Sequence, residues 1–145
     1  MLDRSGNGSA QVETFANAEF LLSSQKTILV LDDHAFFQMA ISKFLEALGY
    51  RCICVGSPSE AIKALECSEN EIELVLCDYD LPEMDGFKFC QMARAQSPNV
   101  PFILMSGARI GQAELPLPMD GVVAVVEKTN LTDRLQHLIN DAISA

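Results

Sequence analysis

The chain has 145 residues, 49% of them hydrophobic and 21% charged. This is one domain's length, and the composition excludes a wholly disordered chain. Twenty acidic against ten basic side chains give a net charge of -10, which argues against direct binding to nucleic acid or to an anionic membrane. No apolar run approaches the ~20 residues that span a bilayer, and the N-terminus lacks the apolar core of a signal peptide.

The first 25 residues predict an extension ahead of the folded domain. Residues 1–9 are polar and contain glycine, which indicates a disordered start. Residues 10–24 place apolar side chains at partial helical spacing and predict a helix. We expect that helix either to pack on the domain or to join it to another segment. The predicted division is therefore an extension, 1–25, followed by one domain, 26–145.

From residue 27 onward, short apolar runs alternate with helical patterns. The runs are rich in Val, Ile and Leu and predict strands at 27–31, 51–55, 73–77, 101–105 and 121–126. The helical patterns between and after them lie at 35–48, 58–68, 86–97 and 130–143, with a weaker one after Gly107. Strands that alternate with helices indicate a parallel sheet covered on both faces, so the predicted fold class is doubly wound α/β.

Local signals at two helix ends support these boundaries. Gly49 predicts the end of the first helix, because glycine adopts the left-handed conformation that often terminates helices. Ser57 and Pro58 start the second helix, since serine caps helix N-termini and proline suits the first turn.

The five cysteines are odd in number and lack zinc-type spacing, which predicts reduced thiols and a cytoplasmic location. Cys52 and Cys54 fall in one predicted strand, and we expect their side chains to point to opposite faces of the sheet.

Polar residues follow the predicted strands at their carboxyl ends, where the functional sites of open parallel sheets lie. They are Asp32, Asp33, Asp78, Asp80, Ser106 and Lys128. Each has an ordinary role when taken singly, such as a helix cap or a surface charge. Together they would place several carboxylates within ~4–5 Å, where each pair repels by roughly 3–4 kcal/mol at an effective dielectric near 20. A magnesium ion would relieve that repulsion. One carboxylate could then attack a phosphoryl group, while the ion and the ammonium group of Lys128 neutralise the charge on the phosphoryl oxygens.

Four motifs at these positions make the chain resemble the receiver domain of two-component response regulators. They are Asp32-Asp33, Asp78-Tyr-Asp-Leu-Pro-Glu-Met-Asp-Gly86, Met105-Ser106-Gly107 and Glu127-Lys128. The resemblance covers about residues 26–144, and the stretch that begins at Asp78 is its most specific part. It implies membership of the CheY-like superfamily and a (βα)5 flavodoxin-like sandwich, with five parallel strands in the order 2-1-3-4-5.

The resemblance also implies a magnesium site. In that reading Asp33 and Asp78 bind the ion directly, and the main-chain carbonyl of Asp80 provides another ligand. Asp32 contributes through a water molecule.

Phosphoryl chemistry is implied in the same way. Asp78 would accept a phosphoryl group from a histidine kinase or a histidine phosphotransfer protein. Ser106 would hydrogen-bond one phosphoryl oxygen and Lys128 would pair with another. Such a protein is not an enzyme beyond assisting its own phosphorylation and dephosphorylation, and it signals by the conformational change that follows.

Two departures from the family pattern bear on how a signal is transmitted. Val125 stands three residues before the lysine, where many receivers have an aromatic ring that turns inward on activation. Pro116 and Pro118 should shorten or distort the helix that precedes the fifth strand. Both departures fall on the signalling half of the domain.

Two other functions are also compatible with the sequence. A phosphorylation-independent interaction module would fit the unusual signalling half. A haloacid-dehalogenase-type phosphatase also uses a D-x-D, as in Asp78-Tyr-Asp80, but its later acidic pair has no counterpart in the 17 residues after Lys128. An output domain, a partner protein and a homodimer are all compatible with the sequence.

Overall fold

The computed structural model of the chain describes residues 25–107 and 121–144. Its five strands are β1 (Thr27–Leu31), β2 (Arg51–Val55), β3 (Ile72–Asp78), β4 (Phe102–Ser106) and β5 (Val122–Glu127). The described α-helices, numbered here in chain order, are α1 (Ala35–Ala47), α2 (Pro58–Glu66), α3 (Gly86–Gln96) and α4 (Leu131–Ser144). Short 3-10 helices cover Ser68–Asn70 and Lys128–Asn130.

All five strands run parallel in one sheet, in the order β2-β1-β3-β4-β5. This confirms the predicted doubly wound fold and its strand order. The strands begin and end within one residue of the predicted positions, because continuous apolar runs of this length fit the centre of a parallel sheet.

Alternate residues of the central strands build two apolar clusters, one on each face of the sheet. The first cluster lies under α1 and α4 and includes Ile28, Val30, Leu74, Leu76, Ile41, Leu45, Leu135 and Ile139. The second lies under α2 and α3 and includes Leu29, Leu31, Val75, Cys77, Ala61, Phe89, Cys90 and Ala93. Helices therefore cover both faces of the sheet, which leaves the carboxyl ends of the strands as the expected place for a functional site.

Both predicted helix-end signals act as expected. Ser57 accepts a hydrogen bond from the backbone N–H of Glu60 at 3.3 Å, and Pro58 is the first residue of α2. Gly49 has a φ of 97°, in the left-handed region, and its N–H donates to the carbonyl of Glu46 just after α1 ends.

The expectation for Cys52 and Cys54 was wrong. Their Sγ atoms lie 3.6 Å apart, and both side chains pack against the first apolar cluster. Side chains alternate along a strand with a period of two, so residues two apart share a face. The hydrogen bond with Cys54 and partial burial raise the pKa of Cys52. All five cysteines are free thiols.

Several predictions fall on residues outside the described ranges. They are the polar start at 1–9, the helix at 10–24, the helix after Gly107 and the effect of Pro116 and Pro118 on it. The division of the chain at residue 25 also stays a prediction. Among the described helices, none has the length and apolar character needed to cross a membrane.

Candidate functional site

The carboxyl ends of β1, β3 and β5 bring four predicted site residues together. We call Asp32, Asp33, Asp78 and Lys128 the acidic pocket. Lys128 Nζ lies 2.6 Å from Asp32 Oδ2 and 3.3 Å from Asp78 Oδ2. The Asp32 side chain is fully buried and that of Asp78 is 2% exposed, whereas Asp33 is 34% exposed at the rim. Two buried carboxylates therefore share one ammonium.

The turn from β1 into α1 fixes Asp32 through its backbone and its side chain. Its N–H donates to the carbonyl of Val55 at 3.1 Å, and its Oδ1 accepts from the N–H of His34 at 2.8 Å. Gln38 Nε2 donates to the carbonyls of both Asp32 and Val55. These contacts tie the first turns of α1 to the ends of the two neighbouring strands.

A tight loop from β3 into α3 holds Asp78. Its Oδ1 accepts from the backbone N–H of Asp80 at 3.2 Å, and the N–H of Gly86 donates to the carbonyl of Tyr79 at 2.6 Å. A Cβ atom at Gly86 would lie only 3.0 Å from Tyr79 Cα and would press on the carbonyl of Asp78. The position must therefore be glycine for the loop to close this tightly.

Burial and neighbouring charges shift the pKa values of both titratable partners, Asp78 and Lys128. Burial, followed by the charge of Asp32, raises the pKa of Asp78, although Lys128 and the Asp80 N–H partly offset both effects. Burial alone would lower the pKa of Lys128, but its hydrogen bond with Asp32 and the charges of both carboxylates hold that pKa above its usual value. The pocket therefore keeps its ammonium charged and resists the ionisation of Asp78.

The donors of the pocket suit a hard cation. One ligand atom from each of Asp32, Asp33, His34 and Asp78 lies within 4.8 Å of all the others. Three of these donors are carboxylates, which magnesium prefers, and Asp33 at the rim is open to water ligands. The side chain of Asp80 is exposed and its backbone N–H faces Asp78; its carbonyl as a metal ligand stays a prediction.

Ser106 and Val125 occupy the strands on the other side of Asp78. Ser106 is the last residue of β4, is 1% exposed and is in register with Glu127. It thus reaches the same edge of the sheet as Asp78. Val125 is half-buried on β5 beside Leu104 and packs against the second apolar cluster.

Two residues of the site were missed by sequence reasoning. One is His34, whose Nδ1 lies 3.2 Å from an oxygen of Asp32 and 3.2 Å from one of Asp33. Its position directly after the acidic pair was the available signal. Phe37, whose ring centroid lies 4.3 Å from Lys128 Nζ, gave no such signal because its spacing along α1 is that of an ordinary core residue.

Comparisons with known proteins agree with the fold and with the family resemblance. The family model for the response regulator receiver domain matches residues 28–140. The sensor histidine kinase RcsC of Escherichia coli is 36% identical over 112 residues, which are 77% of this chain and 12% of that protein. The putative two-component response regulator ARR21 of Arabidopsis thaliana is 30% identical over 97 residues, which are 67% of this chain and 16% of that protein.

The chain thus spans less than a fifth of the length of these two relatives. Among solved structures, a CheY-like response regulator receiver domain protein from Methanospirillum hungatei JF-1 has a TM-score of 0.74 at 23% identity. The match covers 83% of this chain and 95% of that one, and at this level of identity it establishes the fold.

Proposed function

Because the chain belongs to the response regulator receiver domain family, we propose that Asp78 accepts a phosphoryl group and that the resulting conformational change is the signal. One observation carries the proposal. Asp78 is a buried carboxylate at the end of a strand, with a raised pKa and with an ammonium 3.3 Å away that can neutralise an incoming phosphoryl group. Mutually repelling carboxylates are otherwise a costly feature for a domain edge.

The metal ligands proposed for magnesium are Asp33, Asp78 and the main-chain carbonyl of Asp80, with Asp32 acting through water. When bound, the ion supplies positive charge that offsets both the carboxylates and the phosphoryl oxygens. The 4.8 Å grouping of donor atoms supports this assignment. His34, which lies in the same group, borders the site on its exposed side.

The proposed reaction assigns one role to each protein group. A carboxylate oxygen of Asp78 attacks the phosphorus atom, and the bond between phosphorus and the imidazole nitrogen of the donor breaks. Lys128 pairs with one phosphoryl oxygen and the hydroxyl of Ser106 donates to another. Attack of water on the phosphorus later releases inorganic phosphate and restores the Asp78 carboxylate.

The proposed donor is a histidine kinase or a histidine phosphotransfer protein. Such a donor must cover the mouth of the acidic pocket, where α1 begins. Two large apolar side chains project from this helix, because Phe36 is 83% exposed and Met39 is 57% exposed. They give a protein donor an apolar surface beside the reacting group. An exposed apolar surface of this kind suits contact with a protein rather than with nucleic acid. We also propose a cytoplasmic location, which the free thiols of the five cysteines support.

The decisive experiment is phosphorylation of the purified chain. We expect incubation with magnesium and acetyl phosphate to add one phosphoryl group by intact mass, and Asp78→Asn to abolish the addition. Asp133→Asn, an exposed acid at the start of α4, should behave as the wild type.

Two results would replace the proposal. If neither acetyl phosphate nor a phosphorylated histidine phosphotransfer protein modifies the chain, and magnesium with beryllofluoride does not bind, the domain is a phosphorylation-independent interaction module. Sustained hydrolysis of small phosphate esters would instead indicate the phosphatase.

A further inference from the structure

The ammonium of Lys128 has three different neighbours. Besides the contacts with Asp32 at 2.6 Å and Asp78 at 3.3 Å, Nζ lies over the ring of Phe37, 4.3 Å from its centroid. That distance is well inside the ~6 Å range of a cation–π interaction. The Lys128 side chain is only 17% exposed, so little water competes with the ring.

The ring is itself held in place by its own helix. Phe37 is half-buried and packs against the first apolar cluster under α1 and α4. The next residue, Gln38, ties the helix to the strand ends through its bonds to the carbonyls of Asp32 and Val55. The ring therefore cannot drift from the pocket without breaking these bonds or leaving the cluster.

The ring adds a restraint on an ammonium that two carboxylates share. Asp32 holds Nζ at the shorter distance, and a long flexible lysine side chain can rotate toward either carboxylate or toward solvent. An aromatic face attracts the cation without offering it a competing hydrogen-bond acceptor. The ring can thus hold the ammonium in the pocket while its N–H groups can still donate to the carboxylate of either Asp32 or Asp78.

We propose that Phe37 is a positioning residue that holds the Lys128 ammonium beside Asp78 for phosphoryl transfer. The proposal rests on the proposed function of Asp78. It also gives the aromatic partner of the site to α1, whereas the position on β5 occupied by Val125 offers no ring.

The first test is a double-mutant cycle on stability, which needs no phosphorylation. Phe37→Leu should raise the unfolding equilibrium constant more in the wild type than in a Lys128→Met background, with a difference of ~3- to 30-fold. Phe44→Leu is the matched control, because Phe44 lies two turns along the same helix and packs against the same cluster. Its effect should be the same in both backgrounds. Additive effects of Phe37→Leu and Lys128→Met would overturn the contact.

The second test is the rate of phosphorylation by acetyl phosphate at saturating magnesium. Phe37→Leu should slow the reaction ~3- to 30-fold, whereas Phe37→Tyr and Phe37→Trp should restore most of the rate because both keep an aromatic face. Phe44→Leu should react as the wild type. An unchanged rate in Phe37→Leu, with coupling present in the cycle, would overturn the positioning role.

A fluorescence probe then reports the contact directly. The chain has no tryptophan, so Phe37→Trp introduces a single one. Without any ligand, its emission should differ between the wild-type and Lys128→Met backgrounds, because the ammonium lies over the ring in only one of them. Identical emission in the two backgrounds would contradict the contact. If the wild type accepts no phosphoryl group from any donor, the proposed function fails, while the stability cycle still decides whether the ring holds the lysine.

Discussion

Lys128 and Asp32 are joined by a 2.6 Å contact between Nζ and Oδ2, which is shorter than the 3.3 Å contact from the same nitrogen to Asp78. The cation of the pocket therefore lies nearest the fully buried carboxylate that we do not assign as the acceptor. Asp78 is left with a partial share of that charge, and burial together with Asp32 raises its pKa. The proposed acceptor is thus the less satisfied member of the pair.

Removing the ammonium should expose this imbalance. Lys128→Met leaves two buried carboxylates without their cation, which typically costs about 3–5 kcal/mol of stability. We expect a large drop in the urea midpoint without divalent ions and a smaller one with magnesium, because the ion supplies replacement charge. Lys43→Met, at an exposed position of α1, should change little in either condition. A loss of equal size with and without magnesium would contradict the electrostatic reason.

Neutralising Asp78 should have the opposite effect on stability. A carboxyl whose pKa is raised by folding binds its proton more tightly in the folded state, so its ionisation at neutral pH costs stability. Asp78→Asn should therefore raise the melting temperature at pH 7 by ~2–5 °C in the absence of divalent ions.

The pH dependence checks the sign. As pH falls through the raised pKa towards the ordinary value of 3.8, the wild type loses this penalty, and the two melting temperatures should converge. Asp133→Asn, on the exposed surface of α4, should show no such advantage at pH 7. A melting temperature for Asp78→Asn below that of the wild type at pH 7 would mean that the contact with Lys128 outweighs burial.

The strands could be predicted because their signals are local, and the edge of the sheet that carries the site could be predicted from the topology. β1 and β2 match their predicted bounds because each is a short apolar run, and Ser57 caps α2 through a residue three positions away. The carboxylates at the ends of β1 and β3 followed from topology, since parallel strands present their carboxyl ends at one edge.

The contacts across the pocket could not be predicted in the same way. Phe37 reads as a core residue of α1, and its position over Lys128 depends on how the helix packs against the end of β5. His34 was not predicted as a site residue although it directly follows the acidic pair, because sequence alone does not give the direction of its ring. The error for Cys52 and Cys54 was different in kind, since the strand was right and the period was misapplied.

Asp33 should dominate the affinity for magnesium. It is the most exposed carboxylate of the acidic pocket, and its oxygens lie in the four-residue donor group. We expect Asp33→Asn to weaken magnesium binding by ~10- to 100-fold or more, because the loss of even an outer-shell partner typically has an effect of that size. Isothermal titration calorimetry measures this directly, with Asp133→Asn as the charge-matched control. Equal affinities in the two variants would remove Asp33 from the metal site.

Gly86 should control the geometry of Asp78 without touching the reacting atoms. A methyl group at this position would meet the backbone of Asp78 and Tyr79, so Gly86→Ala must shift the loop or the start of α3. We expect a stability loss of ~1–3 kcal/mol, typical of overpacking, together with slower phosphorylation by acetyl phosphate. Gly56→Ala is the matched control, because its Cβ would meet no atom closer than 3.9 Å. A destabilised Gly86→Ala that is phosphorylated at the wild-type rate would show that the loop supports the fold but does not orient the carboxylate.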